Sequence, residues 1–292
     1  MGYLGRRSRR LAAGGIVWGA LFWSVLSLAL PAAIDQAAAS EGEGSTLLSY
    51  DVYAGGLKAM RADLAVDLGG EDYRLQLDAR FQGFIAKLFS LDMTVVTEGK
   101  LSGEALRPVS YDMHSIWQKS KERRITMAFE EGSARDVEIE PEDQKPLAPH
   151  LVSLEQREGA MDPITALLWP IAELLRSGAC EGETKVFDGK KLFQLELEPR
   201  GNAVIEASSY SPFSGETLVC RLHIEQIAGK MKDKSKNRVP PFIDVYLAPL
   251  QPGGPPLPLK LEGTNLLGRI VLHLAEASGA LKSEQLTQRP AE

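Results

Sequence analysis

The residues of this 292-residue chain whose types and spacing bear on chemistry are few: two cysteines, four histidines, a run of carboxylates and two alternating basic stripes. Cys180 and Cys220 lack the Cys-x-x-Cys spacing of a redox pair. The histidine nearest Cys220 in sequence, His223, lies an odd number of residues away, so a regular strand turns it to the other face. His114, His150, His223 and His273 are far apart in sequence and read as ordinary surface or half-buried residues, not as zinc ligands. Glu130, Glu131, Asp136, Glu138, Glu140, Glu142 and Asp143 make an acidic stretch. Glycoside hydrolysis needs two facing carboxylates at a set separation, which sequence does not show. The simpler expectation is a solvated hairpin that keeps an edge strand from aggregating. No H-E-x-x-H, G-x-S-x-G, S-x-x-K, Walker, dinucleotide or EF-hand pattern occurs. We therefore assign no catalytic residue, no metal ligand and no cofactor from sequence.

Two further sets suggest binding. Lys119, Lys121 and Arg123 alternate, with Arg124 beside them, and so do Lys230, Lys232, Lys234, Lys236 and Arg238. In extended chain each set projects from one side of the backbone, which suits a lipid phosphate or a peptidoglycan carboxylate. The competing expectation is a solvated lysine-rich loop that only aids solubility. Phe81, Phe84, Phe89, Trp117 and Trp169 are expected either to line an apolar cavity or to fill a core. A formal net charge of −6 argues against nucleic acid as a partner.

These residues must be positioned by strands. Period-two alternation dominates after residue 46, as in Met60, Ala62, Leu64, Val66 and Leu68, then Tyr73, Leu75, Leu77, Ala79 and Phe81. About a dozen such runs extend to Leu274. One helix is expected over 163–177: Asp162 caps it, Pro163 takes its first position, Pro170 kinks it and Gly178 stops it. Asp188-Gly189 between two β-prone runs predicts a tight type I′ hairpin. The fold class expected is all-β: an antiparallel, curved or barrel-like sheet with one short kinked helix that plugs or caps it.

The first forty residues read as an address. Arg6, Arg7, Arg9 and Arg10 precede an apolar run from Leu11 to Leu30, and small residues end at Ala37 and Ala39. That order is a secretory signal, with cleavage expected after Ala39. The run also has the length of a spanning helix, so retention as an anchor is the alternative. The organisation expected is a signal at 1–39, one β-rich domain over 40–280 with no span after cleavage, and a polar tail over 281–292. In an oxidising compartment Cys180 and Cys220 should pair. In the chain-entropy model that closure stabilises the fold by roughly 4 kcal/mol.

Several ordered pieces resemble one family. They are Tyr50-Asp51-Val52-Tyr53 with Gly55 or Gly56, Pro108 with Tyr111, Asp162-Pro163, Phe187-Asp188-Gly189, Cys220 with Ile227-Ala228-Gly229, and Leu266-Leu267-Gly268. Together they resemble the exported bacterial proteins of domain-of-unknown-function family 3108, over about residues 47 to 275. The resemblance implies a curved antiparallel sheet in the periplasm and supplies no catalytic residue. The functional expectation is a periplasmic, non-enzymatic protein that binds an envelope lipid, peptidoglycan or envelope protein and supports envelope integrity. A lipid or lipoprotein carrier with an apolar cavity is the rival, and an envelope glycan or peptide hydrolase a further one.

Overall fold

The computed structural model describes residues 45–69, 71–102, 105–141, 152–230, 239–250, 252–265 and 268–279. All lie in one compact unit, Glu41–Glu292. The expected signal, the expected tail, Glu142, Asp143, His150, Lys232, Lys234, Lys236 and Arg238 fall outside the described residues.

Fourteen strands form one sheet. The first seven are β1 (Thr46–Ala54), β2 (Leu57–Gly69), β3 (Asp72–Phe81), β4 (Leu91–Ser102), β5 (Ala105–Trp117), β6 (Lys121–Glu130) and β7 (Ser133–Glu140). The second seven are β8 (Ala160–Met161), β9 (Gly182–Phe187), β10 (Leu192–Ile205), β11 (Gly215–Ala228), β12 (Phe242–Pro249), β13 (Pro256–Asn265) and β14 (Gly268–Gly279). Each half is a meander, and the halves join where β1 pairs with β14, Thr46 opposite Gly279. Every pairing is antiparallel except the short β8–β9 ladder. The expected all-β, barrel-like sheet is therefore observed.

Alternation explains which face is inward. On β3, Tyr73, Leu75 and Ala79 are buried, while Arg74, Gln76 and Asp78 carry the polar face. On β6, Ile125, Met127 and Phe129 are buried, while Ala128 and Glu130 are exposed. Of these, Tyr73, Leu75, Ile125, Met127 and Phe129 pack with Leu64, Val95, Tyr111, Phe187 and Leu192 into the main core, while Ala79 joins a second cluster. Two further apolar clusters lie around Leu259 and Leu274 and around Trp169, Cys180 and Cys220.

The sheet has two edges, β7 and β8. They approach one another without a shared ladder among the described residues, and a helical linker bridges them. Arg157, at the end of α2 (Leu154–Arg157), donates to the carbonyls of Val152 and Ala134. The amide of Gly159 donates to Gly132 across the same seam, at 2.9 Å. The Arg157 guanidinium lies 4.5 Å over the ring of the buried Phe187. The acidic stretch is the hairpin expected at an edge: Asp136, Glu138 and Glu140 are exposed on β7.

The helical content and one turn correct the sequence reading. Besides the expected helix, observed as α3 (Thr165–Ser177), there are α2 and α1 (Gly83–Leu88). Both are too short for a 3.6-residue period to show. The Asp188-Gly189 turn is not type I′. Phe187 pairs with Leu192, so four residues form the loop, and only Gly189 has positive φ. The Asp188 carboxylate accepts from the amides of Lys190 and Lys191, an Asx turn that replaces the tighter hairpin. A Cβ at Gly189 would stand 2.7 Å from Ile125 Cγ2, which fixes this tip against β6.

Candidate functional site

A carboxylate buried where the start of α3 meets β3 and β4 is the first candidate. Asp162 and Thr165 are fully buried. Asp162 Oδ1 accepts from the amides of Ile164 and Thr165, both at 2.9 Å, as a helix cap does. The first i to i−4 bond of α3 runs from Ala166 N–H to the Asp162 carbonyl. Pro163 supplies no amide where none is needed, and Gly178 ends the helix in the left-handed region, as expected. Asp162 Oδ2 accepts from Thr165 Oγ1 at 2.6 Å and faces Thr97 Oγ1 at 3.0 Å. Tyr73 closes the group, its hydroxyl 2.9 Å from Thr165 Oγ1. Gly99 permits this: a Cβ there would fall 2.3 Å from the Tyr73 ring.

Burial pushes the Asp162 carboxyl upward, against the hydrogen bonds from Thr165, Thr97 and Ile164 that favour the anion. Thr97 also donates to the Ser110 carbonyl at 2.8 Å. One hydroxyl proton serves one acceptor, so a protonated Asp162 could donate to Thr97 while Thr97 donates to Ser110. Burial likewise raises Tyr73 and Tyr111, and the charge of Asp162 adds to both. Every oxygen of Asp162 is engaged within the fold, so this cluster anchors α3 to β3 and β4.

The outer face of β4 to β7 forms the second candidate, an open groove of about 810 Å³. Arg124 grips Asp112 through two bonds, 3.1 and 2.6 Å. His114 Nε2 lies 2.7 Å from Glu122. Both pairs are exposed and contribute little to stability. His223 pairs with Glu198 at 2.8 Å, and that hydrogen bond holds the Glu198 carboxyl below its ordinary value. His273 stacks on Tyr210, and burial pushes its imidazole down. Each of these three histidines has its own neighbour. Among the described residues no three His, Cys, Asp or Glu gather as a metal site.

Cys180 and Cys220 form a disulfide, with Cα atoms 5.6 Å apart and both residues buried. It ties the chain just after α3 to β11, as expected. Trp169 packs in the same cluster and donates to Glu173.

The other four aromatics are elsewhere and do not line an interior. Trp117 meets Phe81 edge-on at 5.6 Å and stacks near Phe89 at 6.2 Å. Phe84 and Phe89 are exposed, beside Leu88 on α1. This group sits at the end of the sheet where the β1–β2, β3–β4 and β5–β6 connections lie. Lys119 is in the β5–β6 turn with positive φ, so Lys119, Lys121 and Arg123 do not form one straight stripe. Arg124 is committed to Asp112. Lys230 is exposed where β11 ends, at this same end of the sheet, and the other four basic residues of its stripe lie outside the described residues.

Sequence reasoning missed Thr97, Tyr73 and Arg157. The Asp-Pro pair signals a cap, but nothing local signals that strands 65 and more residues away bury it. Arg157 had a weak cue in the Ser153 to Gln156 spacing, which forms a full capping box.

Among solved structures, the chain is similar to a β-barrel-like protein of domain of unknown function DUF1849 from Brucella abortus. Identity is 10%, the TM-score is 0.49, and the match covers 80% of this chain and 96% of that one. No curated protein matches it. The model of the family described as "Protein of unknown function (DUF3108)" matches residues 49–275, from β1 through β14. With the strand pattern, the helix cap and the buried cysteine pair all inside that span, the chain belongs to the DUF3108 family.

Proposed function

We propose that this protein is exported to the bacterial periplasm and works there without catalysis, by binding an envelope partner at its surface. The observation that carries the reading is the Cys180–Cys220 disulfide, buried at 1% and 0% exposure. Such bridges persist in oxidising compartments. The basic, apolar and small-residue order of residues 1–39 agrees with that address.

Binding is favoured over turnover by how the carboxylates are used. Asp162 and Asp188 hold backbone amides, and Asp112 and Glu122 are paired on the surface. Surface binding is favoured over carriage because, of the aromatics that could have lined a cavity, Trp169 fills a core cluster and the other four stand at one end of the sheet. The test is photo-crosslinking from position 84 in the producing cell, with the adduct identified by mass. A covalent adduct with an envelope component is expected. Absence of any adduct, or turnover of an envelope glycan or peptide by the pure protein, would overturn the reading.

A further inference from the structure

The β3–β4 connection is built against ordinary burial. Gly83, at φ +60, turns the chain, and Gln82 N–H holds it to the Ala59 carbonyl at 2.9 Å. The six residues of α1 then run Gly-Phe-Ile-Ala-Lys-Leu, and none is buried. Phe84 is 61% exposed, Leu88 58% and Phe89 42%. A globular surface scatters such residues singly, whereas a contiguous set marks an interaction site.

The set is firmly mounted. Gln118 N–H donates to Ser90 O at 2.9 Å, joining the β5–β6 turn to the end of the α1 loop. Trp117 meets both Phe81 and Phe89. The two connections, residues 82–90 and 117–121, contain Lys87, Lys119 and Lys121 and no carboxylate. Their charge is opposite to the −6 of the whole chain.

We propose that this end docks onto an anionic lipid bilayer surface, with Phe84, Leu88 and Phe89 entering the interface and Lys87 and Lys119 meeting lipid phosphates. Aromatic and leucine side chains beside lysines are the composition that partitions at the headgroup boundary. The acidic remainder of the protein is repelled by the same surface, so the charge asymmetry orients it with this end down. The inference rests on the envelope reading above and names the partner of that surface.

The test uses the protein as recovered from the periplasmic fraction of producing cells, sedimented with vesicles. Phosphatidylcholine vesicles with and without phosphatidylglycerol are compared. Binding to the anionic vesicles only is expected, with a loss of about tenfold or more in F84S/L88S/F89S and a similar loss in K87Q/K119Q/K121Q. A Leu88→Trp reporter keeps the question open to refutation should the triple variant misfold. Its emission should shift to the blue on adding anionic vesicles. Equal binding to both vesicle types, an unmoved reporter, or full binding by the triple variants overturns the proposal. If vesicles fail and crosslinking from position 84 captures an envelope protein, the envelope reading stands and the bilayer is excluded as its partner.

Discussion

At the scale of single residues, the best-determined group is Asp162. Its role as a cap was legible because Asp-Pro is a local signature. Its burial was not, because Thr97 and Tyr73 arrive through strand pairing. Removing it strands the amides of Ile164 and Thr165 in the core and takes one partner each from Thr97 and Thr165, so Asp162→Ala should cost about 3 kcal/mol in urea unfolding. Asp162→Asn mimics the protonated acid, which can donate to Thr97, and should lose less than half as much. Equal losses would show that the anion itself is required. Asp63 behaves in the opposite sense. Burial pushes it up, but hydrogen bonds from Ser49 and Arg61 and the charges of Arg61 and Arg80 outweigh that and hold it below its ordinary 3.8. A depressed carboxyl contributes stability above the unfolded value and loses it as pH falls through the lower, folded one. Stability should therefore drop as pH falls below 3.8, and Asp63→Asn should flatten that drop. An unchanged slope in the variant would assign the acid sensitivity elsewhere.

At the scale of elements, alternation located nearly every strand, since half-buried strands expose their period directly. β10 runs on through Val204 and Ile205, because a register shift between Pro199 and Gly201 lets its ladder continue. The 188–191 loop was misread because an Asp side chain can satisfy amides that a type I′ turn would leave to the ladder. The α1 loop was legible only through Phe84 and Phe89 as cavity or core candidates, and their exposure separates them from the core. The disulfide was legible from compartment and spacing, and it fastens α3 to β11. In the double variant C180S/C220S the loss should approach roughly 4 kcal/mol, read as a lower denaturation midpoint. A midpoint unchanged from wild type would show that Trp169 and its neighbours hold α3 without the bridge.

At the scale of the whole molecule, the strand order runs round from β7 through β1 and β14 to β8, so chain order and sheet order agree everywhere except at the join. The sequence contains no cue to that join, since Thr46 and Gly279 meet from opposite ends of the domain. It does contain Lys87 beside Phe84 and Phe89, and the fold brings the β5–β6 turn with Lys119 to the same end of the sheet. We propose that this family member works outside the cytoplasm as an oxidised, partner-binding scaffold. The most direct measurement is thiol alkylation of the protein in fractionated producing cells. Recovery in the periplasmic fraction, with Cys180 and Cys220 alkylated only after reduction, is the predicted result. Recovery in the cytoplasm with two freely alkylated thiols would contradict the account.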